Sequence, residues 1–205
     1  MALRLKGATS GFVELNAPDE AGSNTLTLPD GNGTSGQYLQ TNGSGGLSWQ
    51  TVPNNGFESY AVIADQKTLG TDGGTFTSGD WRTRDLNTEL FDPDGIVSIS
   101  SNQFTLGAGT YFITFSAPAH VANRHNARLY DVTNSSVEAT GTSAIAANAS
   151  GVNNTSFGFG RVTITANTTY EIQHQCQTTV PTNGFGVGCD HTTETYTVVE
   201  IFREA

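Results

Sequence analysis

Short runs of alternating apolar and polar residues, each closed by a cluster of Gly, Asn, Asp or Pro, recur along most of this chain. That pattern constrains the fold more than any other feature, because period-two alternation places one set of side chains on one face of a strand. β-Branched residues suit a pleated surface, and Gly and Asn supply the positive φ that tight turns need. Helix formers are scarce: Lys occurs only at Lys6 and Lys67, and Met1 is the sole methionine. An all-helical protein is excluded and an all-β fold is expected. From Tyr60 onward the strand candidates are Tyr60–Ala64, Trp81–Leu86, Ile96–Ile99, Gln103–Leu106, Thr110–Ala117, Arg128–Val132, Val137–Thr142, Ser156–Thr165, Tyr170–Gln177 and Tyr196–Phe202. Ten strands in two sheets make a jelly-roll sandwich. No repeat at a fixed period suggests a β-helix or propeller.

The chain divides by pattern into an N-terminal segment, residues 1–52, a linker, 53–59, and a C-terminal head, 60–205. The N-terminal segment carries the apolar stretches Phe12–Leu15, Thr25–Leu28 and Gln37–Leu39, separated by turn chemistry and ending near Trp49. Such strands are too few and too short to bury a core alone. The segment is therefore expected to dock on another protein or to wrap with copies of itself.

The run GATSGFVELNAPDEAGSNTLTLPDGNGTSGQYLQTNGSGGLSW resembles a module of tailed-phage fibre proteins, especially those of marine cyanophages, where it lies on the virion-proximal side of a distal domain. In the head, Phe104, Gly109, Tyr111 and Phe115 within Asp92–Ser116 resemble the core pattern of the jelly roll shared by complement globular heads and tumour-necrosis-factor ligands. That resemblance implies a trimer with the terminal strand near its axis. The runs Ser78–Glu89, Arg124–Thr133, Glu171–Thr179 and Gly184–Val187 also resemble distal domains of phage fibre proteins. Together these imply a virion structural protein, a trimeric fibre, spike or knob, held to another virion protein through the N-terminal segment and presenting the head to a host-surface receptor or glycan. A head decoration or head fibre is the alternative within that class.

The faces of the strands bear on assembly. Tyr170, Ile172, His174 and Cys176 share one face, and Glu171, Gln173, Gln175 and Gln177 the other, as in a strand with one wet side. In the last strand Tyr196, Val198 and Phe202 point one way while Val199 and Ile201 point the other. A strand apolar on both faces needs a second cover, and a neighbouring subunit supplies one. Phe157 and Phe159, opposite Val162 and Ile164, ask for the same cover. Phe157, Phe159, Tyr196, Val198 and Phe202 are the expected trimer interface.

Few residues suggest chemistry. His174, Cys176, Cys189 and His191 have the residue types of a zinc site without a known finger spacing. A Cys176–Cys189 disulfide and two free thiols are the other readings, and free thiols beside a hydrogen-bonded histidine are favoured. Asp92 and Asp94 supply two oxygen ligands where a calcium cage needs six or more, so an ordinary turn is expected. The sequons at Asn134 and Asn167 are compositional. Arg82, Arg84, Arg124 and Arg128 are candidates either for an acidic glycan or for structural and interface pairing, with the structural role favoured. Gly- and Asn-rich stretches at Asn148–Thr155 and Val180–Gly188 are candidate contact loops. There is no phosphate loop, nucleophile elbow or zinc-protease helix, so neither cofactor nor metal nor catalysis is expected. A carbohydrate-modifying enzyme, a depolymerase with cross-strand carboxylates, is the alternative from a different class, and a secreted cytokine-like ligand ranks last.

Nineteen acidic against nine basic residues give a net charge of −10, which argues against nucleic-acid binding. No apolar window reaches the roughly 20 residues of a membrane span, and the opening residues lack the apolar core of a signal peptide. Synthesis in a host cytoplasm and residence in the virion are the expectation.

Overall fold

The computed structural model describes residues 3–16, 18–20, 22–52, 56–148 and 151–205. It is all-β. Contacts cluster into two units, Met1–Pro53 and Asn54–Ala205.

In the first unit, β1 (Leu3–Lys6) pairs antiparallel with β2 (Phe12–Leu15), and β3 (Gln37–Thr41) with β4 (Leu47–Thr51). The expected strand Thr25–Leu28 is reduced to one parallel bridge between Thr27 and Gly46. Trp49 organises the DGNG turn: its indole Nε1 donates to the Gly31 carbonyl at 2.6 Å. Gly33 lies flat against that ring at φ +68°, and a Cβ there would come within 2.7 Å of it. Leu3, Leu5, Phe12, Leu15, Leu26 and Leu28 all remain exposed in the single chain, as expected of strands too short to bury themselves.

The second unit holds β5 (Phe57–Lys67), β6 (Arg82–Thr83), β7 (Thr88–Phe91), β8 (Val97–Ser100), β9 (Gln103–Leu106), β10 (Gly109–His120), β11 (Asn123–Asp131), β12 (Ser136–Thr140), β13 (Ala144–Ala146), β14 (Asn153–Ile164), β15 (Thr168–Cys176) and β16 (Glu194–Glu204). These form two antiparallel sheets, one of five strands in the order β14-β10-β16-β5-β7 and one of seven. The seven-stranded sheet runs β12-β11-β15-β9-β8, with β13 added to β11 and β6 to β15. The chain crosses between sheets from β9 to β10, β10 to β11, β14 to β15 and β15 to β16, which is jelly-roll topology.

Twelve strands replace the expected ten. β7 and β13 are additions, and Trp81–Leu86 contributes only Arg82–Thr83. Past Thr83 the chain leaves the ladder, although the Arg84 amide still donates to Ile172. Phe57–Ser59 belong to β5 and not to a linker; the linker positions 53–55 lie outside the described residues.

The core lies between the sheets. Tyr111, Ile113, Phe115, Val162, Val199 and Ile201 from the five-stranded side meet Phe104, Leu106, Leu129, Tyr170 and Ile172 from the other. A second cluster, including Phe76, Ala119, Cys176, Val180 and Phe185, closes one end. β10 runs through Pro118, which is tolerated because β16 stops pairing after Ser116 and leaves one side of β10 without a ladder there.

Gly158 pairs with Phe115, and a Cβ at Gly158 would fall 2.1 Å from the Phe115 ring. Gly158→Ala is therefore expected to destabilise the head by about 1–3 kcal/mol through overpacking, read as a lower denaturant midpoint. An unchanged midpoint would show that the ring moves aside freely.

Candidate functional site

Two outer surfaces stand out, one on each sheet. On the five-stranded sheet, ladder register sets outward side chains in rows across the strands. One row is Arg161, Phe112, Phe202 and Tyr60; the next is Phe159, Thr114, Glu200, Val62 and Phe91. Tyr60 stacks on Phe91 with ring centroids 4.6 Å apart, and Phe57 meets Phe202 at 4.8 Å. Phe112 and Phe159 lie 6.2 Å apart beside a groove of about 450 Å³ that Phe157 and Val198 help line. Within it, the Thr114 hydroxyl donates to the Glu200 carboxylate at 2.7 Å. Phe159 is 71% exposed and Phe157 59%.

Phe157, Phe159, Val198 and Phe202 thus share one outer face, while Val199 and Ile201 fill the core. Tyr196 does not join them. The ladder to β5 shifts between Thr195 and Val198, and that bulge breaks the alternation counted from the sequence. Tyr196 is instead 6% exposed and donates its hydroxyl to the Thr71 carbonyl at 2.7 Å. Its ring lies against Gly186, and burial pushes the phenol up to about 12.

On the seven-stranded sheet, the Arg128 guanidinium lies 3.9 Å over the Trp81 ring and 5.0 Å from that of Tyr130. A chain of side chains holds it there. Arg128 Nε donates to Gln173 at 2.8 Å, Gln173 donates to Glu171, and Glu171 also accepts from Thr83 at 3.2 Å and Gln103 at 3.0 Å. The face expected to be wet on β15 is therefore partly covered by its own hydrogen-bonded partners, and Glu171 is buried. Beside Trp81 opens a cleft of about 540 Å³, lined by Arg124, Asn126, Ile145, Gln175 and Gln177. Trp81 was not singled out from the sequence. Its signal is the strand period, which puts it on the same face as Thr83 and hence beside Arg128.

Arg82 and Arg84 have different fates. Arg82 is half-buried and donates from Nε to the Thr77 carbonyl at 3.2 Å. Arg84 is 0% exposed, so no ligand or subunit reaches it. Its Nε donates to Thr197 Oγ1 at 2.7 Å, Nη1 to the Pro118 carbonyl at 3.1 Å and Nη2 to the Phe185 carbonyl at 2.9 Å. The guanidinium carbon sits 4.0 Å from the Phe185 ring centre. Burial pushes this guanidinium down to about 10. Asp85, next to Arg84 in the chain, is taken by Lys67 at 2.8 Å.

The His/Cys constellation is dispersed. His174 is buried and its Nε2 hydrogen-bonds His125 Nδ1 at 2.9 Å, a pairing of residues 49 apart that the sequence pattern did not single out. Cys176 is a buried free thiol, pushed up to about 11 by burial. Cys189 is a free, exposed thiol whose Sγ donates to Glu194 Oε2 at 3.3 Å. Glu194 also accepts from the amides of Cys189, Asp190 and Gly70, and these backbone donors bring its carboxyl down to about 2. Among the described residues, no group of three or more His, Cys, Asp or Glu converges as metal ligands. Asp92 caps its own turn, accepting from the amides of Ile96 and Val97.

The two candidate contact loops also diverge. Val180–Gly188 is woven against residues 73–76 by backbone hydrogen bonds, and Val180, Gly184, Phe185 and Gly186 are buried, so most of it is structural. Asn148–Thr155 includes residues 149 and 150, which lie outside the described set; Asn148, Gly151, Asn153 and Asn154 are exposed.

No family model matches the chain, and no curated protein matches it in sequence. Among solved structures it is similar to the globular domain of zebrafish complement 1qA protein, at 16% identity over 71% of this chain and 96% of that one, with a TM-score of 0.44. It is also similar to murine APRIL at pH 5.0, at 9% identity over 71% and 98%, with a TM-score of 0.46. A third is the Eiger TNF of S. frugiperda, at 10% identity over 73% and 94%, with a TM-score of 0.44.

Proposed function

We propose that this chain is a phage virion structural protein that assembles as a homotrimer and presents its jelly-roll head for attachment to a host surface. The observation that carries the assembly is the outer face of the five-stranded sheet, where Phe57, Tyr60, Phe91, Phe157 and Phe159 stand exposed together. Isolated exposed aromatics are ordinary, but a contiguous aromatic patch on one sheet marks a contact surface. A second copy of the same chain is the occupant, because the N-terminal unit leaves its leucines uncovered as well and both units then gain cover from one event. The virion assignment is supported by the resemblance of residues 7–49 to the phage fibre module.

Attachment by a trimer needs no catalysis. Three weak sites on one rigid head add up through effective concentration. Light scattering of the purified chain is expected to give three times 21.6 kDa, about 65 kDa. Phe159→Asp, which puts a charge at the most exposed aromatic of that face, is expected to give a folded monomer with an unchanged β circular-dichroism spectrum. A wild-type chain that stays monomeric at high concentration would sink the assembly. Immunogold labelling of intact particles tests the rest: label at the tail supports a fibre or spike, label over the whole head a decoration, and no label overturns the virion assignment.

A further inference from the structure

The cleft beside Trp81 is, we propose, a binding site for an acidic sugar, a pyranose that carries a carboxylate. This rests on the host-attachment reading and deepens it by naming the site and the ligand class.

Size is the first argument. At about 540 Å³ the cleft is in the range of small-ligand sites. Its lining is the second. Trp81 and Ile145 supply apolar wall, suited to the C–H faces of a ring. Asn126 and Gln175 are register partners on β11 and β15, and Gln177 follows one step along the same face. An amide offers both donor and acceptor in one plane, which matches pairs of neighbouring hydroxyls. Asn126 spends its Nδ2 on the Gly141 carbonyl at 2.6 Å, which fixes the side chain and leaves Oδ1 to accept. The Gln177 backbone amide donates to the Arg124 carbonyl at 2.8 Å, but the side-chain amides of Gln175 and Gln177 make no hydrogen bond among the described residues, so both functions of each remain available at the cleft.

Charge is the third argument and selects a carboxylate. The chain carries −10, and Arg4, Lys67, Arg161 and Arg203 are each ion-paired within it. Arg124 and Arg128 form no such pair among the described residues, yet both stand on this face of β11. Arg124 is exposed at the cleft and presents a guanidinium fork matched to a carboxylate. Arg128 is committed to Trp81 and Gln173, so its role is to hold the indole in place. A simple anion would use the arginine and leave the amides and the aromatic wall idle. An uncharged sugar would leave Arg124 idle.

The test is a tryptophan-fluorescence titration of the full chain with tetragalacturonate, with maltotetraose as the neutral control. Saturable quenching by tetragalacturonate at millimolar concentrations is expected, weakened by salt. Trp49→Phe should retain the signal and Trp81→Phe should lose it. Arg124→Gln, an exposed change that leaves the core untouched, should weaken binding about tenfold, as expected for loss of one charge-assisted pair. No saturable binding, equal binding of the neutral tetrasaccharide, or an unaffected Arg124→Gln would each overturn the site. A trimer that fails to bind removes the site and leaves the assembly standing; a monomer that binds keeps the site and removes the assembly.

Discussion

Arg84→Ala is expected to cost the head roughly 3–5 kcal/mol, because it strips partners from three acceptors at once. Thr197 on β16, Pro118 on β10 and Phe185 in the 180–188 loop all converge on this one guanidinium. Two of the three are carbonyls, which cannot turn to find another donor. The Phe185 ring also loses the cation above it. Arg84→Lys tests the geometry separately from the charge: a single ammonium cannot span three acceptors in different directions, and lysine loses its proton readily when buried. Lysine is therefore expected to recover only part of the loss. Urea unfolding followed by circular dichroism checks both variants. A cost below about 1 kcal/mol for alanine would mean that water enters and replaces the guanidinium.

The second large effect is loss of stability in mild acid. His125 and His174 are buried against one another, and burial first, then the nearby Arg84 charge, lowers both; His125 falls to about 4. Below the ordinary histidine value of about 6.5 the unfolded chain takes up protons that the native pair refuses. Stability is thus full above that value and falls as the pH drops toward 4. For His125 alone the loss across that window is on the order of 3 kcal/mol. Protonating either ring would also place a second cation near a buried arginine. Glu194, held down to about 2 by backbone donors, adds a further loss once the pH falls below the ordinary carboxylate range. Denaturant midpoints at pH 7.5 and 4.5 measure the histidine part, and a third at pH 3 adds that of Glu194. A midpoint that does not move would mean the pair is hydrated and titrates normally.

The parts of the fold legible in the sequence were those governed by local period. β9 was bounded correctly, and β10 and β14 were placed on the right faces, because Tyr111, Ile113 and Phe115 alternate without interruption and Phe157 and Phe159 oppose Val162. Where a strand departs from period two, the reading failed with it. The bulge before Val198 turned Tyr196 inward, and no residue near it announces the extra step. β7 and β13 are short runs that become strands only because β5 and β11 offer them edges. The fates of Arg84 and Arg128 depended on residues far away in the chain. Arg84 and Arg128 look alike in composition and setting, yet the first is enclosed by groups 34, 101 and 113 positions distant and the second lies over an indole. The free thiol at Cys176 and the hydrogen-bonded His174 match the reading favoured over zinc and a disulfide, but the histidine's partner was not legible for the same reason. Their true neighbour, His125, comes from the adjacent strand, which sequence spacing around Cys189 does not reveal.

The leucine-lined N-terminal hairpins have a consequence in time. A ribosome makes them before it makes the head, and at roughly 5–20 residues per second the following 150 or so residues take on the order of 10–30 seconds. Throughout that interval Leu3, Leu5, Phe12 and Leu15 have emerged with nothing of their own to cover them. The order of synthesis therefore leaves these side chains open to capture by a chaperone or to contact between nascent chains on one messenger.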